Sequence, residues 1–168
     1  RLAACPEGPL GNLSPAGRAA FLGERHTTRG AGDWRRLGTD LGKSPDVLVP
    51  AYDDAAGVTA DFNRNVLAVL NREMGANFDL ANYEHVAIWD AGKEWIEMRL
   101  RAVAAAEVTL PELALDIVLE AGEEIRTEIS AKFRREGLER ELANAGYSLV
   151  SWWADPKGLF ALSLARAH

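Results

Sequence analysis

One cysteine, Cys5, is all the chain has. No disulfide can close within it, so stability rests on a packed core, and a reducing cytoplasm is the expected compartment. Histidine is almost as scarce. His26, His85 and His168 stand far apart without ligand-like spacing, which argues against a metal site. Basic residues are outnumbered, 19 against 25 acidic ones, for a net charge of −6. A nucleic-acid surface usually needs the opposite balance, so no nucleic-acid partner is expected. No apolar run approaches the ~20 residues of a membrane span, so no membrane partner is expected either. P-loop, GxGxxG and GxSxG patterns are all missing. So is an initiator Met, and an opening on "RLAAC" suggests a fragment or a processed product.

What is present is ordinary folding material. The 168 residues, 48% of them hydrophobic, suffice for one domain with a core. A short strand opens the chain and breaks at Pro6 and Pro9. Ser14-Pro15 signals a helix start, with the helix stopping near Gly23. "GERHTTRGAGDWRRLG" has neither period and reads as an exposed loop, and "SPDVLVPAYDDAAG" as a turn-rich connection. Thr59 is placed to cap an amphipathic helix whose apolar stripe takes Phe62, Val66, Val69 and Leu70 and which Gly75 ends.

Periodicity then changes. "EHVAIWD" and "EWIEMRLRA" read as a hairpin around "AGK", and "EVTL" and "LALDIVL" as further strands. "EIRTEISAKF" alternates, with Ile125, Thr127, Ile129, Ala131 and Phe133 on one face and Glu124, Arg126, Glu128, Ser130 and Lys132 on the other. "RREGLERELANAG" is a helix, and "YSLVSWW" with "LFALSLARA" a closing hairpin. Strands, a helix and a final hairpin make the class α/β.

Residue by residue, the plain readings lead. Glu128 and Ser130 suit a solvated strand face, Met98 suits core packing, and Asn12 suits a turn. Tyr52, Asp53 and Asp54 suit a turn whose Asp side chains bond the local backbone.

Five stretches in order are more specific together than any one alone: "GNLSP" at 11–15, "YDDAAGVTADFNRNVLAVLNRE" at 52–73, "IEMRL" at 96–100, "TEISAKF" at 127–133 and "WWADPKGLFALSLA" at 152–165. They resemble the histidine-specific Nα-methyltransferases of ergothioneine biosynthesis, from Gly11 onward. Those enzymes use S-adenosylmethionine to trimethylate the α-amine of L-histidine, giving hercynine. The resemblance implies a cytoplasmic enzyme, monomeric at full length. It implies an incomplete Rossmann-like methyltransferase core with an inserted α+β substrate-binding domain containing antiparallel strands. Residues 1–42 and 133–168 would belong to the core, the latter as a helix and terminal antiparallel hairpin. Residues 43–132 would form the histidine-binding domain.

The resemblance also implies roles. Asn12 looks like the holder of the substrate carboxylate, with Tyr52 helping. Glu128 and Ser130 look like the pair that reads the imidazole, a carboxylate accepting one ring N–H and a hydroxyl meeting the other nitrogen. Met98 looks like the apolar wall beside the ring, and Thr59 and Phe62 match residues near the same pocket. No proton acceptor for the amine can be assigned.

The departures lie in the cofactor half. Methyltransferases of this fold grip their cofactor with a Gly-rich loop after one strand and an acidic residue after the next, and nothing in this sequence plays either role. Without them the chain is expected to be inactive alone. Trp34-Arg35-Arg36 makes a poor buried parallel strand where the family has an apolar one. Two alternatives stand beside the family reading: a non-catalytic, amino-acid-binding relic, and a sister amino-acid N-methyltransferase.

Overall fold

The computed structural model describes residues 2–5, 10–27 and 32–168, with side chains for 10–24 and 32–168. The breaks at Pro6 and Pro9 lie outside them. In chain order the elements are β1 (Leu2–Cys5), α1 (Pro15–Thr27), β2 (Trp34–Asp40), α2 (Pro45–Tyr52), α3 (Val58–Met74), β3 (Tyr83–Asp90), β4 (Trp95–Ala102), β5 (Ala106–Leu110), β6 (Leu115–Leu119), β7 (Glu124–Ala131), α4 (Arg135–Asn144), β8 (Tyr147–Ala154) and β9 (Phe160–Ala167). They fall into two units: Arg1–Ser44, Ala91–Trp95 and Ile129–His168 form the first, Pro45–Asp90 and Ile96–Glu128 the second.

The first unit is built on a four-stranded sheet of order β1-β2-β9-β8. β1 runs parallel to β2, and β9 lies antiparallel to both β2 and β8. The closing hairpin is therefore present, but its second strand is inserted between β2 and β8. Alternation explains the fit: Ala161, Ser163, Ala165 and Ala167 of β9 are all buried. Helix α4 buries Leu138 and Leu142, one turn apart, in a core with Leu10, Leu22, Leu37, Phe133 and Tyr147. Arg18 of α1 ties to Glu141 of α4 with two guanidinium bonds of 2.8 and 2.9 Å.

Two expectations about this unit fail. Helix α1 runs on through Gly23 to Thr27. A lone glycine costs only about 1 kcal/mol there, too little to stop a helix. Residues 34–38, read as the end of a loop, belong to β2, in which Arg35, Leu37 and Thr39 are buried and Arg36 is exposed. An arginine at an inward position hid the period.

The second unit holds the three-stranded sheet β3-β4-β7 and the pair β5-β6. The Ala106–Leu110 and Leu115–Leu119 strands are antiparallel, and Leu67, Phe78, Tyr83, Leu100, Val108 and Leu110 form the core beneath α3. Three local readings change. "PDVLVPAY" is helix α2, with Leu48 buried. Its Pro45 sits at the first helical position, where the missing N–H costs nothing. Thr59 is not the cap of α3. Gly57 holds that position at φ 73, and Asp54 does the capping, its carboxylate accepting from the N–H groups of Val58 (3.1 Å) and Thr59 (2.7 Å). Finally, Phe62 and Val66 face outward, 63% and 40% exposed, while Asn63 and Leu67 face the core. Gly75, at φ 63, ends α3 as the sequence suggests.

Candidate functional site

Tyr52 is the last residue of α2, where a helix leaves its carbonyls without intrahelical donors. The Nε2 of His85 on β3 bonds that carbonyl at 2.7 Å. The other ring nitrogen, Nδ1, lies 2.9 Å from Nδ2 of Asn63 on α3, and the same Nδ2 donates to the carbonyl of Arg99 at 3.1 Å. A carbonyl only accepts, so the amide orientation is fixed, and Nδ1 must be the acceptor. His85 is thereby the neutral Nε2–H tautomer donating to Tyr52. On the other side, Thr127 Oγ1 lies 2.6 Å from Asn63 Oδ1 and 3.0 Å from the carbonyl of Met98. One chain of bonds thus connects Tyr52, β3, α3, β4 and β7.

Two of the site residues suggested by sequence, Tyr52 and Met98, are joined by this chain, and Glu128 follows Thr127 directly on β7. Met98 is buried on the apolar side of β4, 4% exposed. Thr59 is engaged with Asp54, whose carboxyl is held down to about 2 by the Thr59 side chain, then by the backbone N–H groups of Thr59 and Val58. Phe62 points outward from α3, away from the buried Asn63.

In the first unit, the segments that carry Asn12 and Ser130 are joined by one backbone bond, the Gly11 carbonyl accepting from the Ala131 N–H at 2.9 Å. Asn12 is exposed and Ser130 half-buried. Beside Ser130 is a buried cation. Lys132 Nζ donates to Ser130 Oγ at 2.8 Å and pairs with Asp40 Oδ2 at 2.8 Å. Lys43 also pairs with Asp40. Burial would raise the Asp40 carboxyl, but hydrogen bonds from Lys132 and Lys43 outweigh it and hold it below its ordinary value.

The polar face of β7 is not simply solvated. Glu124 Oε2 takes Arg99 at 2.6 Å, and its Oε1 takes Arg101 at 2.6 Å. Arg126 reaches Glu97 Oε1 at 3.1 Å, and Arg99 also pairs with Glu97, which is 1% exposed. Hydrogen bonds from Arg99 and then Arg101 keep Glu124 below the usual carboxylate range. Glu128 and Ser130 continue the face that this ion ladder begins.

His85, Asn63 and Lys132 were missed by sequence reasoning. The signal for Asn63 was available: it stands four residues before Leu67 on the buried stripe, where a polar residue needs partners. His85 lies 22 residues from Asn63, and no local period connects them. Among the described residues, no group of His, Cys, Asp and Glu could hold a metal ion, and no helix is long and apolar enough to cross a membrane.

A sequence profile of the family described as "Histidine-specific methyltransferase, SAM-dependent" matches residues 1–167. The "Histidine N-alpha-methyltransferase" of Mycolicibacterium smegmatis (strain ATCC 700084 / mc(2)155) is 56% identical over 156 residues, 93% of this chain and 49% of that protein. The protein of the same name from Mycobacterium tuberculosis (strain CDC 1551 / Oshkosh) is 50% identical with the same coverage. The chain therefore spans about half the length of these curated relatives. A crystal structure of a S-adenosylmethionine-dependent methyltransferase from Clostridium acetobutylicum ATCC 824 superposes with a TM-score of 0.50 at 9% identity, over 99% of this chain and 57% of that one. That likeness concerns fold alone and agrees with the α/β class. A match running from residue 1 to residue 167 takes in both units, and the chain belongs to the SAM-dependent, histidine-specific methyltransferase family.

Proposed function

We propose that this chain contributes the histidine-recognising part of an enzyme that trimethylates the α-amine of L-histidine to hercynine, a step of ergothioneine biosynthesis. The observation that carries this is the 50–56% identity to two histidine Nα-methyltransferases across 93% of the chain. In this reading Asn12 and Tyr52 bind the substrate carboxylate, Glu128 and Ser130 read the imidazole, and Met98 walls the ring. Thr59 and Phe62 are placed near the same pocket. Residues 1–42 and 133–168 serve as methyltransferase core and 43–132 as the substrate domain. The full-length protein is a cytoplasmic monomer.

The chemistry asks for orientation more than for acid–base groups. A free amine must be held in line with a methyl group on a sulfonium, itself a good leaving centre. Selectivity comes from the half-buried Glu128 and Ser130, whose acceptor and hydroxyl an imidazole matches and an apolar side chain does not.

S-adenosylmethionine supplies the methyl group. Its grip in this fold needs a glycine-rich turn between a strand and a helix. The sequence between β1 and α1, "PEGPLGNLS" at 6–14, has two glycines, Gly8 and Gly11, in no GxGxxG run. These residues do not fit a complete cofactor site, so no residue and no step is assigned to it. Residues 1–168 alone are accordingly expected to yield no hercynine.

Calorimetry with L-histidine, followed by incubation with labelled S-adenosylmethionine, tests the reading. Histidine should bind the chain without turnover. Glu128→Ala should lose at least tenfold in histidine affinity while barely changing a weak response to other amino acids. An unchanged histidine preference in that variant would remove Glu128 from the site. Robust turnover by residues 1–168 would show that this chain suffices for methyl transfer.

A further inference from the structure

We propose that His85 is a positioning residue for Tyr52. Its ring, held in the Nε2–H form by Asn63, pins the end of helix α2 so that the Tyr52 hydroxyl reaches the carboxylate of the amino-acid substrate. This rests on the reading above, in which Tyr52 binds that carboxylate. His85 touches no substrate in this scheme, and Tyr52, Asn63, His85, Arg99 and Thr127 all lie in the second unit.

Helix α2 is poorly equipped to hold its own end. It has 8 residues, and Pro50 in its second turn brings no N–H and crowds the carbonyl one turn back. A helix this short stands by what it packs against, not by propensity. Tyr52 closes it, and the Tyr52 carbonyl is among those that a helix end leaves without an internal donor. The bond from His85 Nε2, at 2.7 Å, ties that carbonyl to strand β3. Two residues on, Asp54 caps α3 through the N–H groups of Val58 and Thr59. The chain is therefore held on both sides of Asp53. A tyrosine hydroxyl stands at the far end of a stiff ring, so a backbone shift of ~1 Å is enough to spoil its contact with a ligand.

The bond from His85 exists in one tautomer only. A neutral ring with its proton on Nδ1 would set a lone pair against the Tyr52 carbonyl. Asn63 makes the choice. Its Nδ2 donates to the Arg99 carbonyl at 3.1 Å and lies 2.9 Å from His85 Nδ1, so Nδ1 accepts and the proton stays on Nε2. Thr127 Oγ1, 2.6 Å from Asn63 Oδ1, braces the amide from its other end. Asn63 is 1% exposed, so bulk water does not compete for this amide.

The test is calorimetry with L-histidine and with histamine, which carries the same ring and amine but no carboxylate. Both are titrated into the wild-type chain, Tyr52→Phe, His85→Asn and His85→Gln. Asparagine puts its amide near the place of Nδ1, keeping a partner for Asn63 but stopping short of Tyr52. Glutamine puts a donor near the place of Nε2. His85→Asn should lose about tenfold in histidine affinity and stay within about twofold for histamine, and Tyr52→Phe should do the same. His85→Gln should stay within about threefold of the wild type for both ligands. A His85→Asn variant that weakens both ligands alike, or neither, while Tyr52→Phe weakens histidine alone, would overturn the inference and leave the reading standing. Unchanged histidine affinity in Tyr52→Phe, or no histidine binding by the wild type, would overturn the reading and the inference with it. Ring-nitrogen NMR of the wild type needs no variant to fold. At about pH 8, well above the ordinary imidazole value of ~6.5, it should find the His85 proton on Nε2 alone. A proton on Nδ1 would overturn the inference by itself.

Discussion

Glu97 in the second unit and Arg35 in the first are both charged, both on strands and both buried, at 1% and 3% exposure. Their surroundings differ. Glu97 receives Arg99 and Arg126. Arg35 lies between aromatic faces, 5.0 Å from the Phe21 centroid and 5.9 Å from that of Tyr147. Among the described residues, its Nε and Nη1 have no hydrogen-bond partner. Ring faces return part of the lost hydration of a guanidinium, but they cannot take an N–H as a carboxylate does. Burial alone therefore says little about whether a polar residue supports the fold; partners decide the sign.

Asn63 marks the satisfied extreme and gives the largest expected effect. Asn63→Leu should cost about 3 kcal/mol in urea unfolding, because it strands His85 and Thr127 as well as losing its own bonds. A loss below about 1 kcal/mol would mean that the bond chain carries little. Glu97→Gln should cost about 2 kcal/mol, less than a wholly buried pair, because its arginine partners are half-exposed and can turn to water. Arg35→Met reverses the sign: a gain of about 1 kcal/mol, after the lost stacking on Phe21 and Tyr147 is deducted. A destabilised Arg35→Met would show that the aromatic sandwich outweighs the missing acceptors.

The smallest effect is the cap. Asp54 titrates at about 2, against an ordinary value of 3.8. A depressed carboxyl lends stability that is complete above the ordinary value and vanishes as pH falls through the folded one. The melting temperatures of wild type and Asp54→Asn should differ by a constant amount above about pH 4.5 and converge by about pH 2. A gap independent of pH would show that the cap works without its charge.

The sequence disclosed what depends on near neighbours. Strands β7 and β9 follow period two, and α4 carries Leu138 and Leu142 one turn apart. Strand β2 was hidden because Arg35 occupies an inward position, and α2 because Pro45 and Pro50 resemble turn residues. Helix α3 carries two apolar stripes, and the one through Val58, Phe62 and Val66 faces outward. For the candidate site, motif order suggested Asn12, Tyr52, Met98, Glu128 and Ser130. It could not name His85, Asn63 or Lys132, whose roles exist only once strands and helices distant in sequence are packed.

The place of β9 also has a consequence for how the protein is made. Ser163 on β9 reaches the carbonyl of Leu37 on β2, 126 residues earlier in the chain. On a ribosome β2 emerges long before the strand that covers its edge, and β8 emerges just before it. Until β9 arrives, β2 presents open backbone groups to any other strand in the cell. The first unit is thus most exposed to mispairing while it is being synthesised, and its sheet closes in one late step.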